Sequence, residues 1–391
     1  MHTSLPDLSG ATLTVDLGAI RDNWRTLRGR LGGAACAAVL KADAYGLGAD
    51  RVAPVLAAAG CRHFFVAHLE EGIALRPHVP EAAEIWVLHG LMPGGEDIAL
   101  AHSLTPVLNS LEQVEAWTAL ARRRGATLPA ALQLDTGMSR MGLAPAELDR
   151  IAAEPHRLDG IDLRLVMSHL ACAEQPDNPA NGMQRLRFDV ARRRLPAAPA
   201  SLANSSAIFL GPAFHYDLAR PGVALYGVAP IVGAANPLRQ VVRLQARVVQ
   251  TRTIAAGDAV GYGLHFRADR PCRIATLAVG YADGFPRSLG HRGAAAHFGD
   301  VALPVVGAVS MDSITLDASA LPDGALRPGT LVDLIGPHRS VDAVAAEACT
   351  IGYEILSRFG RRFRRDYVDA APAPQSPALV LAPLDLEGVP S

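Results

Sequence analysis

The sequence predicts an α/β chain: a (β/α)8 TIM barrel followed by a mostly β domain. Three observations lead there. Between about residues 34 and 230, short apolar segments alternate eight times with stretches of helical periodicity, the pattern of a parallel sheet sheathed in helices. After Pro237 the rhythm changes to β-like runs divided by Gly, Pro and Asp turns. A length of 391 residues is long for one core, and with half its residues hydrophobic the chain can fill two.

A strand at 12–16 and a helix at 20–31 precede the first unit and are free to belong elsewhere. Barrel strands are expected at 34–40, 63–67, 84–89, 104–108, 130–135, 162–168, 201–204 and 217–219. The segments between them read as helices. Residues 111–124 carry apolar side chains at helical spacing, with Ser110 placed to cap them. A helix at 146–153 follows a proline, and one at 181–195 is basic on one side. The second part is expected to have strands at 241–254, 273–279, 302–309, 313–316 and 331–335. A helical pair at 341–349 and 352–359 and a last strand at 362–368 complete it. These patterns divide the chain into a barrel domain at 11–237, a β domain at 238–370 and a Pro/Ala-rich tail at 371–391. Strand 11–17 is free to pack with the β domain.

A net charge of −1 and a pI near 6.9 argue against a broad nucleic-acid or anionic-membrane surface. The densest basic run, Arg361-Arg362-Phe363-Arg364-Arg365, is short and reads as a solvated strand face. Five scattered cysteines without a C-x-x-C pair fit a reducing compartment, and neither a disulfide scaffold nor a zinc site. The first residues lack a basic and apolar leader pattern, and no apolar stretch reaches membrane-spanning length, so a soluble cytoplasmic protein is expected.

Lys41 is the single lysine; every other member of the 37-strong Lys+Arg set is arginine. Arginine is the better ion-pairing residue, but only a primary amine can lose a proton at usable pH and form a Schiff base with a carbonyl. Lys41 ends an apolar run, Ala38-Val39-Leu40, and an Ala42-Asp43-Ala44-Tyr45-Gly46 turn follows, which places the amine at a strand exit. A chance surface lysine is the alternative.

In a barrel, reacting groups lie at the C-terminal ends of the strands. Lys41, Arg140, His169, Asn204, Ser205, Ser206 and the Arg220-Pro221-Gly222 turn all fall there. An amine, an imidazole, guanidiniums, hydroxyls and a Gly turn suit an anionic cofactor bearing a carbonyl, and pyridoxal phosphate meets that description. Taken singly, His169 also fits a structural histidine, and a strand-end arginine also fits an ion-pair residue.

Lys41 and its flanks, Leu134 to Gly142, Ser168-His169-Leu170-Ala171, Asn204-Ser205-Ser206 and Arg220 to Gly227 resemble alanine racemase, a fold-type III pyridoxal-phosphate family. Gly261-Tyr262-Gly263, Gly280 to Gly284, Ser310-Met311-Asp312 and Gly352-Tyr353-Glu354 continue the likeness, which runs from about residue 11 to 368. The resemblance implies a homodimeric, cytoplasmic isomerase that interconverts L- and D-alanine, for peptidoglycan precursors or for alanine breakdown. It implies that Lys41 holds the cofactor as an internal aldimine and is the base for the D-enantiomer. Tyr262, from the partner subunit, would be the base for the L-enantiomer. It further implies Tyr45, Ser205, Gly222, Val223 and Tyr353 at the phosphate, with Asn204 beside them, His169 under the ring and Arg220 at the pyridine nitrogen. Arg140 and the backbone N–H of the partner's Met311 would hold the substrate carboxylate, with Asp312 and Tyr281 lining the entrance. A guanidinium keeps its proton, so the ring nitrogen would stay unprotonated and proton return would be favoured over transamination. A tyrosine phenol ionises near ~10, so a base role needs neighbours that lower it, and a network through His169 and Arg220 would serve.

Three departures from the family pattern stand out. Gln133 occupies the position where many members carry a carbamylated lysine, so Gln133, with or without a bound chloride, is expected to orient Arg140. Glu174 replaces the usual Asp near the entrance, and Asp43 and Leu47 replace the more usual Asn and His. Two competing readings are an amino-acid decarboxylase of the same architecture and a non-catalytic pyridoxal-phosphate-binding protein. The Arg140 clamp and Arg220 disfavour the first, and a second domain bearing Tyr262 disfavours the other.

Overall fold

A computed structural model describes residues 9–369, so the expected tail at 371–391 lies outside the described residues. The chain opens with β1 (Ala11–Asp16), whose last residue caps α1 (Leu17–Gly29) by accepting the Ala19 N–H at 2.9 Å. The first barrel strand comes in two pieces, β2 (Ala35–Cys36) and β3 (Ala38–Val39). Parallel strands follow as β4 (His63–Val66), β5 (Glu84–Val87), β6 (Leu104–Leu108), β7 (Leu128–Gln133), β8 (Ile161–Met167), β9 (Ala200–Ser201) and β10 (Leu218–Ala219). Strands β3 to β9 pair in sequence order, and β10 pairs with β2. The seam between β9 and β10 is joined by Asp217 N–H to Ala200 O at 3.0 Å and Arg220 N–H to Ala203 O at 2.8 Å. The eight-stranded barrel expected from the alternating pattern is thus present.

Outside the strands lie α2 (Ala49–Ala58), α3 (Leu69–Leu75), α4 (Glu96–Ala101), α5 (Leu111–Arg124), α6 (Pro145–Ala153) and α7 (Pro179–Arg192). Ser110 caps α5 as expected, accepting the Gln113 N–H at 3.4 Å, and Gly125 ends it in the left-handed conformation. Most expected strands run too far at their C-terminal ends. The regular strands end at Val87, Gln133, Met167 and Ser201, and only single bonds such as His89 N–H to Ala67 O at 3.1 Å carry the ladder on into the rim.

The remaining elements are β11 (Val242–Ile254), β12 (Ala259–Val260), β13 (Phe266–Arg267), β14 (Cys272–Leu277), β15 (Ala295–Phe298), β16 (Val301–Pro304), β17 (Ile314–Asp317), β18 (Leu331–Ile335), α8 (Val341–Ala348), α9 (Gly352–Ser357) and β19 (Arg364–Val368). The 13-residue β11 is the spine, pairing with β1, β14 and β18. β1 lies antiparallel to β11 and parallel to β19, so the first strand of the chain is a member of this second sheet. The expected 302–309 strand shortens to β16, and the hairpin partner β15 had no clear sequence signal.

Buried Asn23 ties the two parts together. Its amide donates to Leu225 O and Arg239 O and accepts the Arg239 N–H. One continuous hydrophobic core runs through both, from Phe64, Phe65 and Trp86 in the barrel to Leu244, Leu316 and Leu334 in the second sheet. The basic run at 361–365 is largely exposed, as expected of a solvated face, with Phe363 buried within it. Arg362 chelates Asp283 at 2.6 and 2.9 Å and reaches Asp312 at 2.7 Å, while Arg365 donates to the carbonyls of Gly46 and Phe359. No helix among the described residues is long and apolar enough to cross a membrane.

Candidate active site

Lys41 lies two residues beyond the end of β3, after Leu40, whose N–H donates to Phe65 O at 2.8 Å. The next four residues, Ala42 to Tyr45, all have φ between 53° and 58°, a turn of left-handed helix built without glycine. Each such L-residue costs roughly 1–2 kcal/mol, so the segment is strained and must be held by its surroundings. Asp43 accepts the Ala49 N–H at 2.7 Å, Arg365 takes Gly46 O, and Glu71 accepts the Ala42 N–H at 2.6 Å. The turn drives Tyr45 inward, where its ring sits 4.8 Å from that of Tyr226 and 6.0 Å from that of Tyr353.

One cavity is lined by Val39, Lys41, Tyr45, Leu88, His169, Asn204, Ser205, Arg220, Gly222, Val223 and Tyr353. Sequence reasoning had singled out all of these except Val39 and Leu88. Ser205 Oγ accepts the N–H groups of Gly222 and Ala224 at 2.9 and 3.2 Å, which shapes the turn where Val223–Tyr226 begins. A Cβ at Gly222 would lie 2.3 Å from the Tyr45 hydroxyl, so only glycine allows the phenol and the backbone to converge there. Asn204 accepts the Ala207 N–H at 3.0 Å and steadies the same rim. Tyr353 reaches the cavity from α9, whose backbone presses on Gly46.

The electrostatics are unusual for a buried site, because cations outnumber acids. Burial, then the Arg140 charge, pulls the Lys41 amine below its ordinary value, and Glu71 opposes them. Burial and the positive charges of Arg220, Arg140 and Lys41 hold His169 down to about 3, so the imidazole is neutral. Arg220 is lowered by burial to about 9 and stays charged at neutral pH. It has no carboxylate partner among the described residues: it donates to Ser201 Oγ and to Ser168 O at 2.6 Å. Burial, then Glu174, pushes the Tyr353 phenol up to about 12.

Arg140 projects from a loop organised by Asp135, whose Oδ1 accepts the N–H groups of Gly137, Met138 and Ser139 at 2.9, 3.1 and 3.1 Å. The loop is closed by Leu143 N–H to Gln133 O at 2.7 Å. The expected Gln133–Arg140 hydrogen bond is absent among the described residues. Gln133 is buried beneath the loop, and Asp135 gives the loop its shape. Glu174 lines a second cavity of about 690 Å³ that shares His169, Asn204 and Tyr353 with the first.

Sequence reasoning missed the polar groups behind this rim. Ser201 and Ser168 hold Arg220. Ser168 Oγ bonds Leu134 O and Thr136 Oγ1, and Gln184 bridges His169 O and the Ala171 N–H. Their signal was position alone, each lying at a strand end or on the helix above one.

Tyr262, Met311, Asp312 and Tyr281 do not reach the Lys41 cavity within the chain. Tyr262 is 74% exposed and Met311 53% exposed on the β domain. Their loops are nonetheless well built: Tyr281 N–H donates to Ser310 O and Ala282 N–H to Met311 O, both at 3.0 Å.

Comparison with known proteins accounts for both halves. The sequence models of the alanine racemase N-terminal and C-terminal domains match residues 15–230 and 241–367. A protein of Mesorhizobium japonicum named catabolic alanine racemase is 56% identical over 360 residues, 92% of this chain and 94% of that one. An alanine racemase of Rhodospirillum rubrum is 52% identical over 362 residues, 92% and 96% of the two chains. Among solved structures, the alanine racemase of Bartonella henselae, which carries covalently bound pyridoxal phosphate, superposes with a TM-score of 0.88 at 41% identity, covering 92% of this chain and 100% of that one. The biosynthetic alanine racemase of Pseudomonas aeruginosa gives 0.84 at 36% identity, covering 92% and 99%. With two domain models spanning the barrel and the β domain, and relatives above half identity along nearly the whole length, this chain belongs to the alanine racemase family.

Proposed function

We propose that the protein interconverts L- and D-alanine by two bases, Lys41 of one subunit and Tyr262 of its partner, with pyridoxal phosphate as cofactor. The observation that carries this reading is that the single lysine shares a cavity with Ser205, Gly222, Tyr45 and a charged Arg220 that has no carboxylate partner among the described residues. The donor set fits the cofactor: hydroxyls and a glycine turn for a phosphate, an amine for an aldehyde, and a neutral imidazole to lie against a ring. When bound, the cofactor supplies the aldehyde that exchanges amines and the ring that acidifies the substrate Cα–H.

The chain's own residues do the rest. Tyr45, Ser205, Gly222, Val223 and Tyr353 would anchor the phosphate, and Asn204 steadies their rim. His169, kept neutral by burial and by the cations around it, would bring no charge to the ring. Arg220 would present a cation to the ring nitrogen and so keep that nitrogen unprotonated. Arg140 holds the substrate carboxylate, with the backbone N–H of the partner's Met311. The Lys41 amine, held below its ordinary value, takes the Cα proton from one face or returns it. On the other face the partner's Tyr262 returns the proton as a phenol or takes it as a phenolate. Removal on one side and return on the other inverts the centre, and no proton is gained or lost overall.

The homodimer is part of the proposal. Exposure of Tyr262 and Met311, away from the Lys41 cavity of their own chain, supports a site completed by a second copy. Asp312, Tyr281 and Glu174 would line the entrance. The same chemistry serves D-alanine supply for peptidoglycan or alanine breakdown.

The test is incubation of the cofactor-loaded protein with L-alanine in D2O. The expected product is D-alanine carrying one α-deuterium, with no carbon dioxide released. Release of carbon dioxide would point to a decarboxylase, and bound cofactor without α-exchange would point to a non-catalytic binder.

A further inference from the structure

Glu71 has no place in the reaction described above, yet its carboxylate spans two barrel-rim segments. One oxygen accepts the Ala42 N–H at 2.6 Å, on the residue next to Lys41 and the first of the left-handed turn. The other accepts the N–H groups of Ala67 and His68 at 2.7 and 3.2 Å, where β4 ends and α3 begins. Lys41 is therefore flanked by a main-chain bond from Leu40 to β4 and a carboxylate bond from Ala42 to the end of the same strand. Without the second bond, the strained turn could relax and carry the amine with it.

We propose that Glu71 is a positioning residue for Lys41: it ties the left-handed turn to the neighbouring strand and sets a negative charge beside the amine. The inference rests on reading Lys41 as the cofactor's lysine. The phenols of Tyr45 and Tyr353 share the cavity with Lys41. The guanidinium and imidazole groups around the amine are Arg140 on the β7 loop, Arg220 after β10, His169 after β8 and His89 after β5, with His68 behind His89, their rings edge-on at 4.6 Å. Glu71 is the acid that offsets them, and it keeps the amine from falling further below its ordinary value.

Capping alone does not explain this arrangement, and the fold contains its own control. Glu147 joins two segments in the same manner, accepting the Ala144 N–H at 2.8 Å and the Leu111 N–H at 2.9 Å, at the start of α6. It does not contribute to the electrostatics of Lys41.

The experiment uses full-length protein stripped of cofactor and titrated with pyridoxal phosphate across pH, read by the visible absorbance gained on joining the lysine. The wild type, Glu71→Gln, Glu71→Ala and Glu147→Gln are compared. Glu71→Gln retains an acceptor oxygen but loses the charge, and its absorbance midpoint is expected at lower pH than the wild type's. Glu71→Ala is expected to weaken cofactor affinity about tenfold or more, the loss of a charge-assisted hydrogen bond. Glu147→Gln should move neither quantity. A wild-type midpoint and affinity in both Glu71 variants, or equal changes in Glu147→Gln, would overturn the role of Glu71 alone. Failure of the wild type to gain the absorbance, or its survival in Lys41→Arg, would overturn the lysine assignment and this role with it.

Discussion

Gly222→Ala adds one methyl group at a point where the geometry leaves no room for it. The new Cβ would lie 2.3 Å from the Tyr45 hydroxyl oxygen, 3.1 Å from Cζ and 3.4 Å from Val39 Cβ. Relief requires the hydroxyl to retreat by about 1 Å to reach van der Waals distance. Tyr45 is only 7% exposed and is boxed by Tyr226 and Tyr353, so the ring cannot swing freely. Overpacking of this kind costs about 1–3 kcal/mol. Because the displaced groups are the proposed phosphate contacts, cofactor affinity should fall by about one to two decades, at 1.4 kcal/mol per decade. The assay is titration with pyridoxal phosphate followed by visible absorbance, with thermal unfolding recorded on the same samples. Tyr45→Phe removes the clashing oxygen and leaves Cζ at 3.1 Å as the nearest atom, a gap that small shifts can open. The double variant should therefore lose less than the sum of the singles, with a coupling of about 1 kcal/mol. Wild-type affinity in Gly222→Ala, or strictly additive losses, would refute the steric reasoning.

Four further outcomes are expected. Tyr262→Phe impairs α-proton removal from L-alanine far more than from D-alanine; equal losses in single-turnover deuterium exchange would count against two separate bases. Lys41→Arg and Tyr262→Phe proteins, each inactive alone, regain about a quarter of wild-type activity when unfolded together and refolded as a mixture, because half of the dimers then hold one intact site; no recovery would argue that the site is complete within one chain. His169 is held neutral down to about 3, so it does not titrate across the neutral range, and an acid limb of the activity profile near pH 6 that disappears in His169→Gln would contradict its placement among Arg220, Arg140 and Lys41. Ser201→Ala strips a buried partner from Arg220 and should lower unfolding stability by about 1–3 kcal/mol in urea titration; an unchanged urea midpoint would show that the guanidinium finds another acceptor.

Much of the site was legible because the barrel converts sequence order into spatial convergence. Once strands could be placed before Lys41, His169, Asn204 and Arg220, their meeting on one rim followed from the parallel arrangement. Strand ends were read too long because apolar residues such as Leu88, Leu134 and Leu202 continue past the regular strands, where Leu134 and Leu202 are buried and Leu88 half-buried at the barrel rim. Strand β15, the hairpin partner of β16, escaped notice because its burial alternates weakly beside Gly299. The Gln133–Arg140 contact was expected by analogy with a lysine in relatives. A shorter, neutral amide under the loop does not make it, and Asp135, a residue already in the motif, supplies the order instead.

By itself the sequence determined the alternation that builds a barrel, the single residue able to form a Schiff base, and the family motifs on which the assignment rests. Each is local or periodic, so each survives being read one residue at a time. Only the tertiary structure decided that β1 joins the second sheet, that Lys41 is followed by four left-handed residues held in part by Glu71, and that Tyr262 and Met311 are exposed and do not line their own chain's cavity. Those outcomes depend on contacts between segments far apart in the chain. Strain at Ala42–Tyr45 is tolerable only because Glu71, Asp43 and Arg365 occupy the positions that hold it. No pattern within the turn itself announces the carboxylate or the guanidinium that folding will bring to it.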